Sequence, residues 1–208
     1  CVDIASALAY LHDNRVIFRD LKPNNLGFLN GRVQLFDFGL SRELPRFNLD
    51  EPFEMSGKVV SRLGLASSIQ TIHVLTLLRP QGTLRYMSPE VASHQVYNVS
   101  ADVYSWAMVC YEIFTLEKPF QGWTRDMHAN LVCGRGARPD VTPLPASARP
   151  ILESSWSQYP YRRPTMRVAE EQMRLHEQQQ MASVCRRRSN QEPNSAQVAV
   201  ELPNDFAV

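Results

Sequence analysis

Apolar residues recur every three to four positions at the start of the chain. Ile4, Leu8 and Leu11 share one face, with Ala5 and Ala9 beside them, and that period predicts a helix over 2–13. A short strand-like stretch follows at Val16-Ile17-Phe18. Beyond a loop at Lys22-Pro23-Asn24-Asn25 come two apolar runs, Leu26–Leu29 and Val33–Phe36, with Asn30-Gly31 between them. Asn-Gly in that setting signals a hairpin, because a type I′ turn needs positive φ at both central positions. Residues 41–99 carry little periodicity and are expected to be mostly irregular. From Ser100 to about Leu116 nearly every face is apolar, which marks a helix buried all round, with Ser100 as its expected N-cap. After a proline-rich stretch, Pro139–Pro150, Thr165 is placed as the cap of a last helix with Met166, Ala169 and Met173 on one face. The pattern fades from Gln178 onward, and 178–208 is expected to be a disordered tail. Within it, Arg186–Arg188 reads as a solvated basic run rather than a nuclear signal. There is no internal repeat.

Composition narrows the classes. With 208 residues, 44% hydrophobic and 21% charged, the chain is of ordinary globular make-up. Twenty-two Lys+Arg against 21 Asp+Glu leave a formal charge of +1. That supplies no field to gather nucleic acid, so no nucleic-acid partner is expected. No uninterrupted apolar run approaches ~18 residues, so no membrane span is expected. The first residue is Cys1 rather than Met, and no signal-peptide pattern follows it; the chain is expected to begin inside a larger protein. Cys1, Cys110, Cys133 and Cys185 are scattered without zinc-site spacing. Cys110 reads as a free buried thiol, and a reducing, intracellular (cytoplasmic) setting fits best.

Two short motifs carry chemistry: Ile17-Phe18-Arg19-Asp20-Leu21-Lys22-Pro23-Asn24-Asn25, and, after the hairpin, Asp37-Phe38-Gly39. Their order and spacing resemble the catalytic loop and metal-binding Asp-Phe-Gly of the eukaryotic protein kinase family. Three later stretches extend the resemblance. Gly82-Thr83-Leu84-Arg85-Tyr86-Met87-Ser88-Pro89-Glu90 is similar to the end of the activation segment. Asp102-Val103-Tyr104-Ser105-Trp106 is similar to the start of the central helix, and Pro160-Tyr161-Arg162-Arg163-Pro164 to the late Arg-Pro element. The likeness covers residues 2 to about 176. Lys22-Pro23 with Thr83 points to the serine/threonine type, and the Asp102–Trp106 stretch with Trp156 to its tyrosine-kinase-like branch.

The resemblance implies a mainly α fold: a kinase C-terminal lobe over 1–177 with small β-hairpins at the catalytic edge. It implies phosphoryl transfer from ATP with Mg²⁺ to a protein substrate, a reaction that needs alignment and charge neutralisation more than covalent chemistry. Asp20 would be the base for the substrate hydroxyl. Lys22 would reach the transferring phosphate, and Thr83 would fix the acceptor pocket by bonding Asp20 and Lys22. Asn25 and Asp37 would be the oxygen ligands of magnesium. Asp102 would accept hydrogen bonds from the catalytic-loop backbone, and Glu90 with Arg163 would form a buried ion pair.

Three departures from the family pattern matter. No glycine-rich loop or strand lysine is present, so the N-terminal lobe of the same kinase is an implied missing partner. Phe18 replaces the usual His, where it can stack on Phe38, and Gly27 replaces a leucine that usually supports adenine, with Leu26 or Phe28 as candidate substitutes. Asp37 to Glu90 is about twice the usual interval. The excess, about 60–81, is rich in Leu, Ile and Val with few charges. Val60-Ser61 is what an intron opening in GT and a following AGT encodes in frame, and Gln81 is what a terminal CAG encodes; a genuine lineage-specific loop is the alternative. The competing functional readings are an active kinase lobe, a pseudokinase or scaffold, and an inactive truncated gene product.

Overall fold

The computed structural model describes residues 1–44, 59–60, 66–67 and 81–189. Helix α1, Val2–Asp13, buries Ile4, Ala5, Leu8 and Ala9, the face its spacing predicts. Arg15 adopts φ 63° and turns the chain into strand β1, Val16–Ile17. Strands β2, Leu26–Leu29, and β3, Arg32–Leu35, form the antiparallel hairpin, with Leu26 opposite Leu35 and Gly27 opposite Gln34. Asn30 and Gly31 both have positive φ (51° and 76°), as a two-residue turn requires. Strand β3 starts one residue before the apolar run because Arg32 must pair with Leu29 to close that turn. Strand β4, Arg42–Glu43, returns to pair with β1, Val16 facing Glu43. Everything between Phe18 and Ser41 is therefore one excursion closed at its base by two short strands. Strands β5, Val59–Val60, and β6, Ala66–Ser67, pair antiparallel.

Two short helices, α2 (Gln81–Leu84) and α3 (Pro89–Ala92), precede the central helix α4, Ser100–Thr115. Every residue of α4 from Ala101 to Tyr111 is buried, the outcome expected of a helix without a polar face. It forms one core with Ile4 and Leu8 of α1, Phe18 of the loop, and residues of the later helices. Its N-terminus corrects the expected cap. Ser100 is the first helical residue, and Asn98 Oδ1 accepts from Ser100 N (2.9 Å), while Ser100 Oγ is buried with no partner among the described residues. A serine that is itself the first helical residue cannot cap the helix, because the capping oxygen comes from the residue before it; that residue is Val99, which has no such side chain.

The remaining helices are α5, Arg125–Met127, which runs into a π-helical turn at His128–Cys133, then α6, Arg149–Ser155, and α7, Met166–Ser189. Thr165 Oγ1 accepts from Val168 N (3.3 Å), and Met166, Ala169 and Met173 are buried, as read from sequence. Helix α7 packs along α1, and Asp13 and Arg167 pair between them. It also continues to Ser189, past Gln178. Gln, Met, Ala and Arg are good helix formers, so helix outlasts the apolar pattern there. The tail from 190, and most of the 60–81 excess, lie outside the described residues.

His128 gives this fold a pH dependence. It is buried, its Nε2 has no hydrogen-bond partner among the described residues, and the Phe120 ring meets it edge-on at 5.7 Å. Burial first, then the Arg138 charge, pushes its pKa down to about 4. A His whose folded pKa lies below its unfolded value of about 6.5 stabilises fully above that value and progressively less as pH falls towards the folded one. The melting temperature is expected to drop between pH 7 and pH 4, with up to ~3 kcal/mol lost through this group. A His128→Gln variant should show a flatter profile by calorimetry over that range; an identical profile would remove His128 as the cause.

Candidate active site

The site is built on a backbone that local sequence alone would not hold. Arg19 sits at φ 74°, a left-handed conformation that costs of order 1–2 kcal/mol for a side chain with a Cβ. Asp102, in the first turn of α4 and 1% exposed, over-determines it. Its Oδ2 accepts from Phe18 N and its Oδ1 from Arg19 N, both at 2.8 Å. The expected anchoring of the loop by Asp102 is thus present, on a carboxylate also favoured by the helix N-terminus.

That anchoring presents Asp20. Lys22 Nζ donates to Asp20 Oδ2 at 2.7 Å. The 3₁₀ turn Pro23–Asn25 brings Asn25 back, whose Nδ2 donates to the Asp20 carbonyl oxygen (2.8 Å) and to Oδ2 (3.2 Å). Proline suits the first position of such a turn because its missing N–H leaves no donor unsatisfied. With its amide nitrogen used on Asp20, the Oδ1 of Asn25 is the end available to a cation.

The hairpin returns the chain to the same place: Phe36 N donates to the Asn25 carbonyl oxygen at 2.8 Å. Asp37 follows in a left-handed conformation, φ 59°, and accepts from Gly39 N through Oδ1 at 3.2 Å. A Cβ on residue 39 would lie 3.1 Å from that Oδ1, tighter than ordinary contact, so glycine keeps the turn. The Phe38 ring meets Phe18 edge-on, centroids 5.2 Å apart, a favoured aromatic geometry. This is the stacking anticipated for Phe18 in place of histidine. Thr83 lines a cavity of about 460 Å³ together with Lys22, Asn25, Arg85, Tyr86 and Glu112. Tyr86 donates to Glu112 Oε2 at 2.6 Å; burial, then Glu112, holds the phenol well above its usual pKa.

Among the described residues no group of three or more His, Cys, Asp and Glu is arranged to hold a metal. A magnesium site completed by substrate phosphates needs only one or two carboxylate or amide oxygens from the protein. Asn25 and Asp37, joined by one hairpin, fit that requirement.

The model of the protein kinase domain matches residues 1–175. The chain belongs to the protein kinase family. It is 34% identical over 168 residues to a probable serine/threonine-protein kinase of Dictyostelium discoideum, covering 79% of this chain and 10% of that protein. It is 34% identical over 169 residues to the serine/threonine/tyrosine-protein kinase HT1 of Arabidopsis thaliana, covering 78% of this chain and 35% of that one. To the Arabidopsis serine/threonine-protein kinase STY17 it is 32% identical over 168 residues, covering 78% of this chain and 24% of the relative. The chain thus spans about a tenth to about a third of the length of these curated relatives.

Elsewhere in this kinase chain, Glu90 and Arg163 form the buried bidentate pair read from sequence, Nη1–Oε1 2.6 Å and Nη2–Oε2 2.8 Å. Arg163 and Arg138 each place a guanidinium carbon 5.1 Å from the centre of the buried Tyr104 ring. Cys110 is fully buried, and burial pushes its thiol up to about 12, so it is an inert core residue. The sequence reading missed His12, whose Nε2 lies 3.0 Å from Asp102 Oδ2. The signal was present: His12 falls on the Ile4–Leu8 stripe of α1 at the next i+4 position, where a buried polar side chain demands a partner.

Proposed function

We propose that this chain is the C-terminal lobe of an ATP-dependent serine/threonine kinase of the tyrosine-kinase-like branch, with the lobe over 1–177. The supporting observation is Asp20, held by Lys22 and Asn25 and joined through one hairpin to Asp37. Asp20 takes the proton of a protein serine or threonine hydroxyl as its oxygen bonds to the γ-phosphorus of ATP. The bond to the bridging oxygen breaks, and its electron pair leaves with ADP. Lys22 moves its ammonium from Asp20 towards the transferring phosphoryl oxygens, and Thr83 borders the acceptor pocket. Asn25 and Asp37 would hold Mg²⁺, which when bound would supply neutralisation of the phosphate charge. The presence of Asp20, Asn25 and Asp37 together favours this reading over a scaffold.

The partner half is the N-terminal lobe. Leu29 and Phe36, on one face of the hairpin, and Phe38 beside it are large, apolar and exposed, a patch of the kind that marks an interface. The 1–208 chain alone is therefore expected to transfer no measurable phosphate from radiolabelled ATP to a protein mixture. Joined to a complete N-terminal lobe, it is expected to become active. Turnover by the isolated chain would refute the need for the second lobe, and inactivity of the joined protein would refute the kinase reading.

For the 60–81 excess we propose a translated, unspliced intron. Deleting these 22 residues keeps the frame and joins Met55-Ser56-Gly57-Lys58-Val59 to Gly82-Thr83-Leu84-Arg85-Tyr86. Reading the mature messenger RNA across this region is expected to show a dominant transcript without codons 60–81. A dominant transcript that keeps them would reject the intron.

A further inference from the structure

A second cavity, also of about 460 Å³, opens where the end of α1, the start of α4 and the 3₁₀ turn Pro160–Arg162 ahead of α7 meet. That volume lies within the range of small-molecule sites. Ala9, Val103 and Met166, all buried, form apolar wall, and Pro160, Tyr161 and Pro164 line it as well. Tyr161 is 78% exposed and stands at the mouth. The charged side chains of the lining are already met: Arg163 by Glu90, and Arg167 by Asp13. A charged ligand would leave water there without gaining a counter-charge. What remains on offer is neutral. Asn98 uses its Oδ1 on Ser100 N, and Thr165 Oγ1 accepts from Val168 N. The Asn98 amide N–H and the Thr165 O–H have no acceptor among the described residues, and both suit a carbonyl oxygen.

Two residues of the lining lead to the active site. His12 Nε2 lies 3.0 Å from Asp102 Oδ2, on the carboxylate that accepts from Phe18 N and Arg19 N. Arg163 grips Glu90, which ends the stretch carrying Thr83. Arg19 is the element with two states: left-handed while Asp102 holds it, relaxed once released. We propose that this cavity is a regulatory site for an uncharged aromatic molecule bearing a carbonyl group, whose presence holds His12 against Asp102 and so fixes the catalytic loop. The proposal goes beyond the kinase reading, and its failure leaves that reading standing.

The test is an NMR titration of the 1–208 chain with three probes of one shape: para-phenylbenzamide, neutral; para-phenylbenzoate, negative; and para-phenylbenzylamine, positive. The amide is expected to bind with a Kd below about 1 mM, ordinary for a molecule of its size. The charged probes should bind at least about tenfold more weakly, having no counter-charge to meet. Signals of Val103, Tyr161 and Met166 should move. With them should move the amide signals of Phe18 and Arg19, which do not line the cavity but donate to Asp102. The Met127 amide, bonded to Thr124 Oγ1, belongs to neither group and should stay. Tyr161→Ala is expected to weaken the amide roughly three- to tenfold, the size of one aromatic contact, and Tyr161→Phe to bind as the parent does. That rescue excludes misfolding as the cause. Movement confined to the cavity residues would break the link to the catalytic loop and overturn the proposal. So would movement at Leu29, Phe36 and Phe38 in place of the cavity, equal affinity for all three probes, or unchanged affinity in Tyr161→Ala. Failure of the amide to bind overturns it outright.

Discussion

Asp20→Asn, introduced into the complete kinase that carries this lobe, is expected to lower kcat by about 10²–10⁴, the range for a positioned general base. The substitution keeps the shape of the side chain and its place beside Lys22 and Asn25, so the KM for ATP should barely move. What is lost is the carboxylate that accepts the hydroxyl proton and the charge that holds Lys22 Nζ at 2.7 Å. Asp37→Ala should behave differently. It removes one of the two oxygen donors proposed for magnesium, so kcat and the affinity for MgATP should fall together, and raising magnesium should restore part of the loss. Steady-state kinetics on a serine-containing peptide reads both. Wild-type turnover in either variant removes the role assigned to that residue, and identical behaviour of the two would mean that base and metal ligand had been misassigned.

Glu90→Ala is expected to cost about 3–5 kcal/mol of stability, because it leaves a guanidinium buried without its counter-charge. The site makes the cost hard to evade. Arg163 is held in place by Ser157 and Ser100 carbonyl oxygens as well as by Glu90, so it cannot swing to water. Arg138 shares the Tyr104 ring with it, and without Glu90 two like charges remain there unbalanced. For a chain of this size the melting temperature should fall by roughly 6–20 °C. Glu90→Gln should cost less, since it retains one acceptor for the guanidinium. The exposed pair between Arg174 and Glu170 on α7 is the control: Glu170→Ala should stay within ~0.5 kcal/mol of the parent. A Glu90→Ala protein that melts with the parent would show the pair to be dispensable.

Local chemistry was legible in the residues themselves. Helix α1, the Asn30-Gly31 turn, the buried α4 and the Thr165 cap all follow from short-range rules. Period, φ preference and capping each act within a few positions, so a single sequence records them. The motif residues Asp20, Lys22, Asn25 and Asp37 stood out for a different reason, their resemblance in order and spacing to the kinase motifs; the structure brings Asp20, Lys22 and Asn25 together, and the roles proposed for them are what the kinetics above test. Element ends were less legible. Helix α4 starts at Ser100 behind Val99 instead of being capped by Ser100, and α7 outlasted its apolar pattern, because several neighbouring residues satisfy the same local rule and small energies choose among them.

What only the tertiary structure decided is which distant residues meet. The hydrogen bond of His12 to Asp102 joins residues 90 positions apart, and the two guanidinium groups on Tyr104 come from separate loops. The edge of the Phe36 ring lies against Gly27 because a register and a pleat put both on one face of the hairpin. None of these is a propensity. Each is a buried or close-packed contact whose partner is chosen by chain topology, and the sequence alone could mark only the odd residue in the pattern, a histidine on an apolar stripe or a glycine inside a strand. The strained Arg19 is the sharpest case: its conformation is locally unfavourable, and it exists because a carboxylate 83 residues away holds it.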